Sequence, residues 1–185
     1  MWYAARAEAK DPNTLAVALE DVKTRLLVDH TDDDADISDM IREATAHVES
    51  YCNIRLSPQV LTCECDSFRD FRRLPDGPVF PNAVKKIEYI DGSGVVQNLD
   101  LDIVVLRLDG LEAFIALKAG WAWPMTRFGE RIVVTIEAGY PEKIPYEMRA
   151  AILHRVASNY QRRENAAAGQ WSEFDSLLVN YRRGL

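Results

Sequence analysis

The stretch Leu19–Leu56, LEDVKTRLLVDHTDDDADISDMIREATAHVESYCNIRL, opens the folded part of the chain and decides how the rest is read. Apolar Leu15, Leu19, Val22 and Leu26 recur at three and four residues, which predicts a short helix over 15–27. Thr14, after the turn-like DPNT, suits its cap. After a run of acids a longer stripe begins: Ile37, Met40, Ile41, Ala44, Val48 and Tyr51, one face of a helix over 35–52. Asn53 suits the left-handed residue that ends such a helix.

Asp29, Asp32, Asp33, Asp34 and Asp36 lie between the two stripes. A calcium loop of the EF-hand type needs glycine at its sixth position and glutamate at its twelfth. Counted from Asp29 these positions hold Asp34 and Met40; counted from Asp32 they hold Ile37 and Glu43. Neither ligand set is complete. The acids read instead as a helix start, where carboxylates cap free N–H groups and suit the dipole.

Downstream the pattern changes. Pro58, Pro75, Pro78 and Pro81 punctuate a region rich in β-branched residues. Strands are predicted over 60–65, 84–90, 95–99, 103–108, 111–117 and 132–138. Asp91–Gly94 and Asp109-Gly110 suit hairpin turns, and no helical crossover separates the strands, so the sheet is antiparallel. In QVLTCECDSF, alternation places Cys63 and Cys65 on one strand face, and no ligand pair follows at zinc-site spacing. With Cys52 they make an odd number, which fits reduced, structural thiols. Two readings stand for Trp121 and Trp123 in the loop AGWAWPMTRFGE: they anchor a partner, or they cover the end of the sheet.

GYPEKIPYEMRAAILHRVASNYQRRE then leads into a helix over 145–164, with Pro145 in its first turn and a stripe of Met148, Ala151, Ile152, Val156 and Tyr160. His47 and His154 have no nucleophile, carboxylate or ligand mate assignable by spacing, and read as packed or surface groups. NAAAGQ is a linker, and Ser172 with Asp175 suits the cap of a last helix. That helix carries the stripe Trp171, Phe174, Leu178 and Tyr181, followed by Arg182 and Arg183.

The whole is α+β: a helical bundle, with two N-terminal and two C-terminal helices, around a central antiparallel β-sheet insertion over 59–138. A flexible arm over 1–14 precedes a domain over 15–165. A linker and terminal docking helix follow over 166–185.

With 185 residues, 48% hydrophobic, the chain is long enough to bury a core and too apolar for disorder. A net charge of -7 argues against broad electrostatic binding to nucleic acid. The sequence shows no apolar leader and no run of membrane-spanning length. It also carries no HExxH, GxSxG, phosphate loop or paired metal half-sites. The chain therefore reads as a non-enzyme with no cofactor and no metal site.

Three stretches in order, Leu19–Leu56, Gly139–Glu164 and the closing LLVNYRRG, flank an antiparallel sheet. Together they resemble the head–tail connector, or adaptor, proteins of tailed bacteriophages and gene transfer agents, over nearly the full chain. The resemblance implies a structural subunit of a homo-oligomeric ring, typically a dodecamer, beneath the portal of a particle's head. Such a ring extends the DNA channel, passes DNA without sequence-specific binding, and carries the stopper or tail-completion protein. It implies a place in the particle neck, manufacture in a bacterial host's cytoplasm, and no membrane. A small non-enzymatic β-sheet-based binding or regulatory module is the alternative.

On this reading Trp171, Phe174, Leu178, Tyr181, Arg182 and Arg183 form a docking tail for the portal or a neighbouring subunit, since aromatics and arginine dominate binding hot spots. The alternative is that the helix docks on its own domain. Ring contacts are expected between Asp32, Asp33 and Asp34 on one subunit and Arg155, Arg162 and Arg163 on the next.

Overall fold

The computed structural model describes residues 1–7, 14–161 and 172–183. The chain divides into two compact units. One is built from Asp11–Ser57 and Pro141–Leu185 and is helical; the other, from Met1–Lys10 and Pro58–Tyr140, holds the strands.

In the helical unit, α1 spans Leu19–Leu26 and α2 spans Asp34–Cys52. The start of α1 falls later than 15, because Ala18 is already extended and serves as the cap position in place of Thr14. Leu27 and Asn53, both left-handed, end the two helices. Helix α3 spans Tyr146–Gln161, directly after Pro145, whose carbonyl accepts from the amide of Arg149. The last element, α4, spans Ser172–Leu178 and tightens into a 3-10 turn over Val179–Tyr181.

The helical core follows the predicted stripes. Ile37, Ile41, Ala44, Val48 and Cys52 of α2 are buried, as are Met148, Ala151, Ile152 and Val156 of α3. Each large aliphatic side chain removed from water contributes about 1.5–3 kcal/mol. Asp33 meets Tyr160 and Glu43 meets Arg155, so α2 and α3 run antiparallel.

The acids at the start of α2 act differently from the expectation of capping. Asp33, at the cap position, makes no side-chain cap bond; it accepts from the Tyr160 hydroxyl at 2.6 Å. Asp34 pairs with the buried amine of Lys23 at 2.7 Å. Tertiary partners have taken the carboxylates that local sequence assigned to the helix end. Their charge still suits the helix dipole.

The sheet unit holds β1 (Arg6–Ala7), β2 (Gln59–Cys65), β3 (Val79–Ile90), β4 (Val96–Asn98), β5 (Val104–Asp109), β6 (Glu112–Leu117) and β7 (Ile132–Ala138). Five strands form one sheet in the order β1-β2-β7-β3-β4, and β5 and β6 form a separate ribbon. Every pairing is antiparallel. Strict alternation along β2 buries Cys63 and Cys65 with Leu61, as read from the sequence.

Two differences have clear causes. Strand β3 begins at Val79 rather than 84, because register shifts around Pro81 and the left-handed Asn82 let the ladder continue past residues that normally stop one. Residues 1–7, read as a loose arm, are instead an edge of the sheet. Arg6 and Ala7 pair with β2, Trp2 bridges to Cys65, and the Trp2 ring stacks on Phe71 at 5.8 Å.

Candidate functional site: assembly surfaces

Each predicted contact residue can now be placed. Leu178 is fully buried within the helical unit. Phe174 is half-buried, with its ring 6.3 Å from that of His154. Asp175, on the adjoining position, bonds His47 at 3.2 Å, while His47 stacks on Tyr51 at 6.0 Å. The Tyr181 hydroxyl donates to Glu147 at 2.7 Å, which lowers the Glu147 pKa and raises that of Tyr181. The Arg182 guanidinium lies 4.9 Å above the Tyr51 ring, a cation–π arrangement. Arg183 is buried, and its amide donates to the Cys52 carbonyl at 2.9 Å.

The terminal helix thus docks at home, and Leu178 and Arg183 are not exposed docking residues. The reason is geometric: α4 spans only seven residues, and its apolar side has a receptive surface on α2 and α3. Leu177 and Val179 face outward instead. Trp171 lies outside the described residues.

The expected ring charges fare similarly. Asp33, Asp34 and Arg155 already have intrachain partners in Tyr160, Lys23 and Glu43. Asp32 is exposed, and Arg162 and Arg163 lie outside the described residues. Antiparallel packing of α2 on α3 brings Asp33 to the Tyr160 hydroxyl and Glu43 to Arg155, while Asp34 is paired from α1, so these groups have partners within the chain.

In the sheet unit, Trp121 and Trp123 part company. Trp123 stacks on Phe68 at 4.6 Å and meets Phe71 edge-on at 5.3 Å, so it covers the core. Trp121 is 60% exposed. On the same loop, Met125 is 87% and Phe128 103% exposed, a projecting apolar face that exceeds the two tryptophans singled out from the sequence. The signal for them was present, since neither fits a strand or helix period. The loop is fixed at its far side by the Arg127 amide, which donates to the Ile90 carbonyl at 2.8 Å, and by pairing of Thr126 with Asp91. Behind it lies an open groove of about 580 Å³, floored by Phe68, Ile115, Leu117 and Trp123 and edged by Arg69 and Arg72.

The thiols are inert by position. Burial pushes Cys52 up to about 11 and Cys65 up to about 12. Among the described residues, no group of three or more His, Cys, Asp or Glu is arranged to hold a metal ion, and no helix is long and apolar enough to cross a membrane.

A helical unit and an antiparallel β unit, with apolar and paired charged surfaces, define an α+β chain. Residues 16–88 match the family model described as phage gp6-like head-tail connector protein. The fold is shared with solved structures along its whole length. A chain of the neck of an empty gene transfer agent particle, computed with C6 symmetry, matches with a TM-score of 0.76 at 21% identity, covering 99% of this chain and 98% of that one. A chain of the virion of a native gene transfer agent particle matches at 0.77 and 21%, with the same coverage. One from the neck of the native particle, computed with C12 symmetry, matches at 0.75 and 22%. No curated protein matches the chain. The matched family is described as a head-tail connector, and two of these structures as particle necks, the class that the sequence resembles.

Proposed function

We propose that this protein is a structural head–tail connector (adaptor) of a phage or phage-like particle. Its copies form a ring beneath the portal, twelve in the particle, which extends the DNA channel and gives the stopper or tail a platform. The observation that carries this reading is the likeness of fold over 99% of the chain to a chain of a gene transfer agent neck, with residues 16–88, from α1 into β3, matching the connector family's model. The C6 and C12 symmetry of those necks supports a ring for this chain as well. Rotational symmetry lets one heterologous contact, repeated, close on itself. The net charge of -7 suits a protein past which DNA slides, because a basic wall would grip the phosphates.

Electron microscopy of the purified protein, alone and mixed with the portal protein of its own particle, tests the proposal. Rings seated coaxially on the portal are expected. A protein that neither forms rings nor binds the portal at micromolar concentration overturns it.

A further inference from the structure

The projecting loop of the sheet unit has an occupant within reach of argument. Trp121, Met125 and Phe128 are all exposed, and side chains of this size present on the order of 500 Å² together. Monomeric proteins rarely expose an apolar patch beyond a few hundred Å² without a use for it. The area is a large part of the about 800 Å² that each partner contributes to a standard interface. The same loop also builds a receptor: Trp123 and Thr126 turn inward to line the groove, while Met125 and Phe128 turn outward.

The groove is apolar on its floor, lies on the same unit as the projection, and has room for large side chains. Arg69 and Arg72 stand exposed at its edge. Glu130 lies two residues from Phe128, and the Arg127 guanidinium folds over the turn at Gly94, where an added Cβ would meet it at 2.9 Å. The projecting side thus offers a carboxylate to an arginine-edged receptor.

We infer that Met125 and Phe128 of one copy seat in the groove floored by Phe68, Ile115, Leu117 and Trp123 of a second copy. Projection and groove are different surfaces of one unit, so the contact is head-to-tail. Each copy keeps one free projection and one free groove, as ring growth demands. The inference rests on the ring reading above and assigns its subunit contact to the sheet unit, where charge pattern had pointed to the helices.

The test uses the full chain. Sedimentation velocity over a concentration series compares the wild type with Met125→Ser/Phe128→Ser. Both residues are exposed, so the fold is retained, which circular dichroism checks. The double variant is expected to need at least tenfold more protein to assemble. Separately, Phe128→Cys combined with Ala116→Cys, a groove position, is expected to give a ladder of disulfide-linked oligomers under mild oxidation, whereas Ala116→Cys alone gives none. The buried native thiols stay silent.

Rings from the double variant at wild-type concentration, with no ladder from the cysteine pair, overturn the contact and leave the ring reading standing. Rings that form normally but no longer bind portal protein overturn it in favour of a portal surface. A wild type that forms no ring, alone or with portal, overturns the ring reading and this contact with it.

Discussion

The amide of Arg183 donates to the carbonyl of Cys52 at 2.9 Å, stitching the chain's last described residue to the C-terminal end of α2. Cys52 answers in kind, with its thiol 3.9 Å from the Leu178 carbonyl. A terminal segment held by backbone bonds and by a buried leucine belongs to the core of its unit. Contacts to a portal would have to use its outward residues, Leu177, Val179 and Arg182.

Removing it should therefore cost stability. Leu178→Ala is expected to destabilise the helical unit by about 2–5 kcal/mol, the range for deleting a fully buried leucine side chain. Deleting residues 172–185 should cost more, and chemical denaturation followed by circular dichroism reads both. A truncated chain with an unchanged melting profile would show that α4 is an appendage and not a core helix.

The link between Tyr181 and Glu147 gives this clasp a pH window. Glu147, lowered from 4.5 by the tyrosine hydroxyl, favours the folded state above 4.5, and that contribution fades as pH falls through its lower folded value. Tyr181 is raised from 10.0 by Glu147, so its contribution is complete below 10.0 and fades as pH rises through the higher folded value. Tyr181→Phe should abolish both edges and flatten the difference between neutral pH and the extremes. An unchanged pH profile in that variant refutes the linkage. Glu147 is exposed and Tyr181 only half-buried, so the effect is modest.

Trp2 is expected to matter more than a residue at the second position usually does. Its indole N–H lies 2.9 Å from the Asp70 carbonyl and 2.6 Å from that of Arg73, and its ring stacks on Phe71. Trp2→Phe keeps the stacking and loses the donor, at about 1 kcal/mol. Trp2→Ala loses both and should cost about 3 kcal/mol, the low end of the range for removing a large aromatic. Equal stability of the two variants, by urea unfolding, would show that the ring contributes nothing beyond the hydrogen bonds.

All three cysteines are buried and none is in a disulfide. With Cys52 at about 11 and Cys65 at about 12, a thiol reagent at pH 8 should find almost no thiolate in the native protein and three reactive groups in denaturant. Because folding raises these values, the thiols favour the native state below their ordinary value, and this is lost as pH rises through the folded one. Fast labelling of the native chain would contradict the burial.

Much of this protein is determined by sequence alone. The stripes of α2 and α3, the alternation that buries Cys63 and Cys65, the left-handed Asn53 and the antiparallel pairing of neighbouring strands follow from local periodicity and turn chemistry, properties carried by a few adjacent residues. Tertiary structure decided what distance in the chain conceals. It inserted β7 between β2 and β3, and it added residues 1–7 to the sheet edge. It gave Asp33 to Tyr160 and Asp34 to Lys23, where sequence offered them to a helix end or a neighbour, and it returned Leu178 to its own unit. In the loop 119–130 it turned Trp123 inward and left Met125 and Phe128 outside. Periodicity says which residues seek burial, but an aromatic or a carboxylate has several possible partners, and only packing of distant segments selects one.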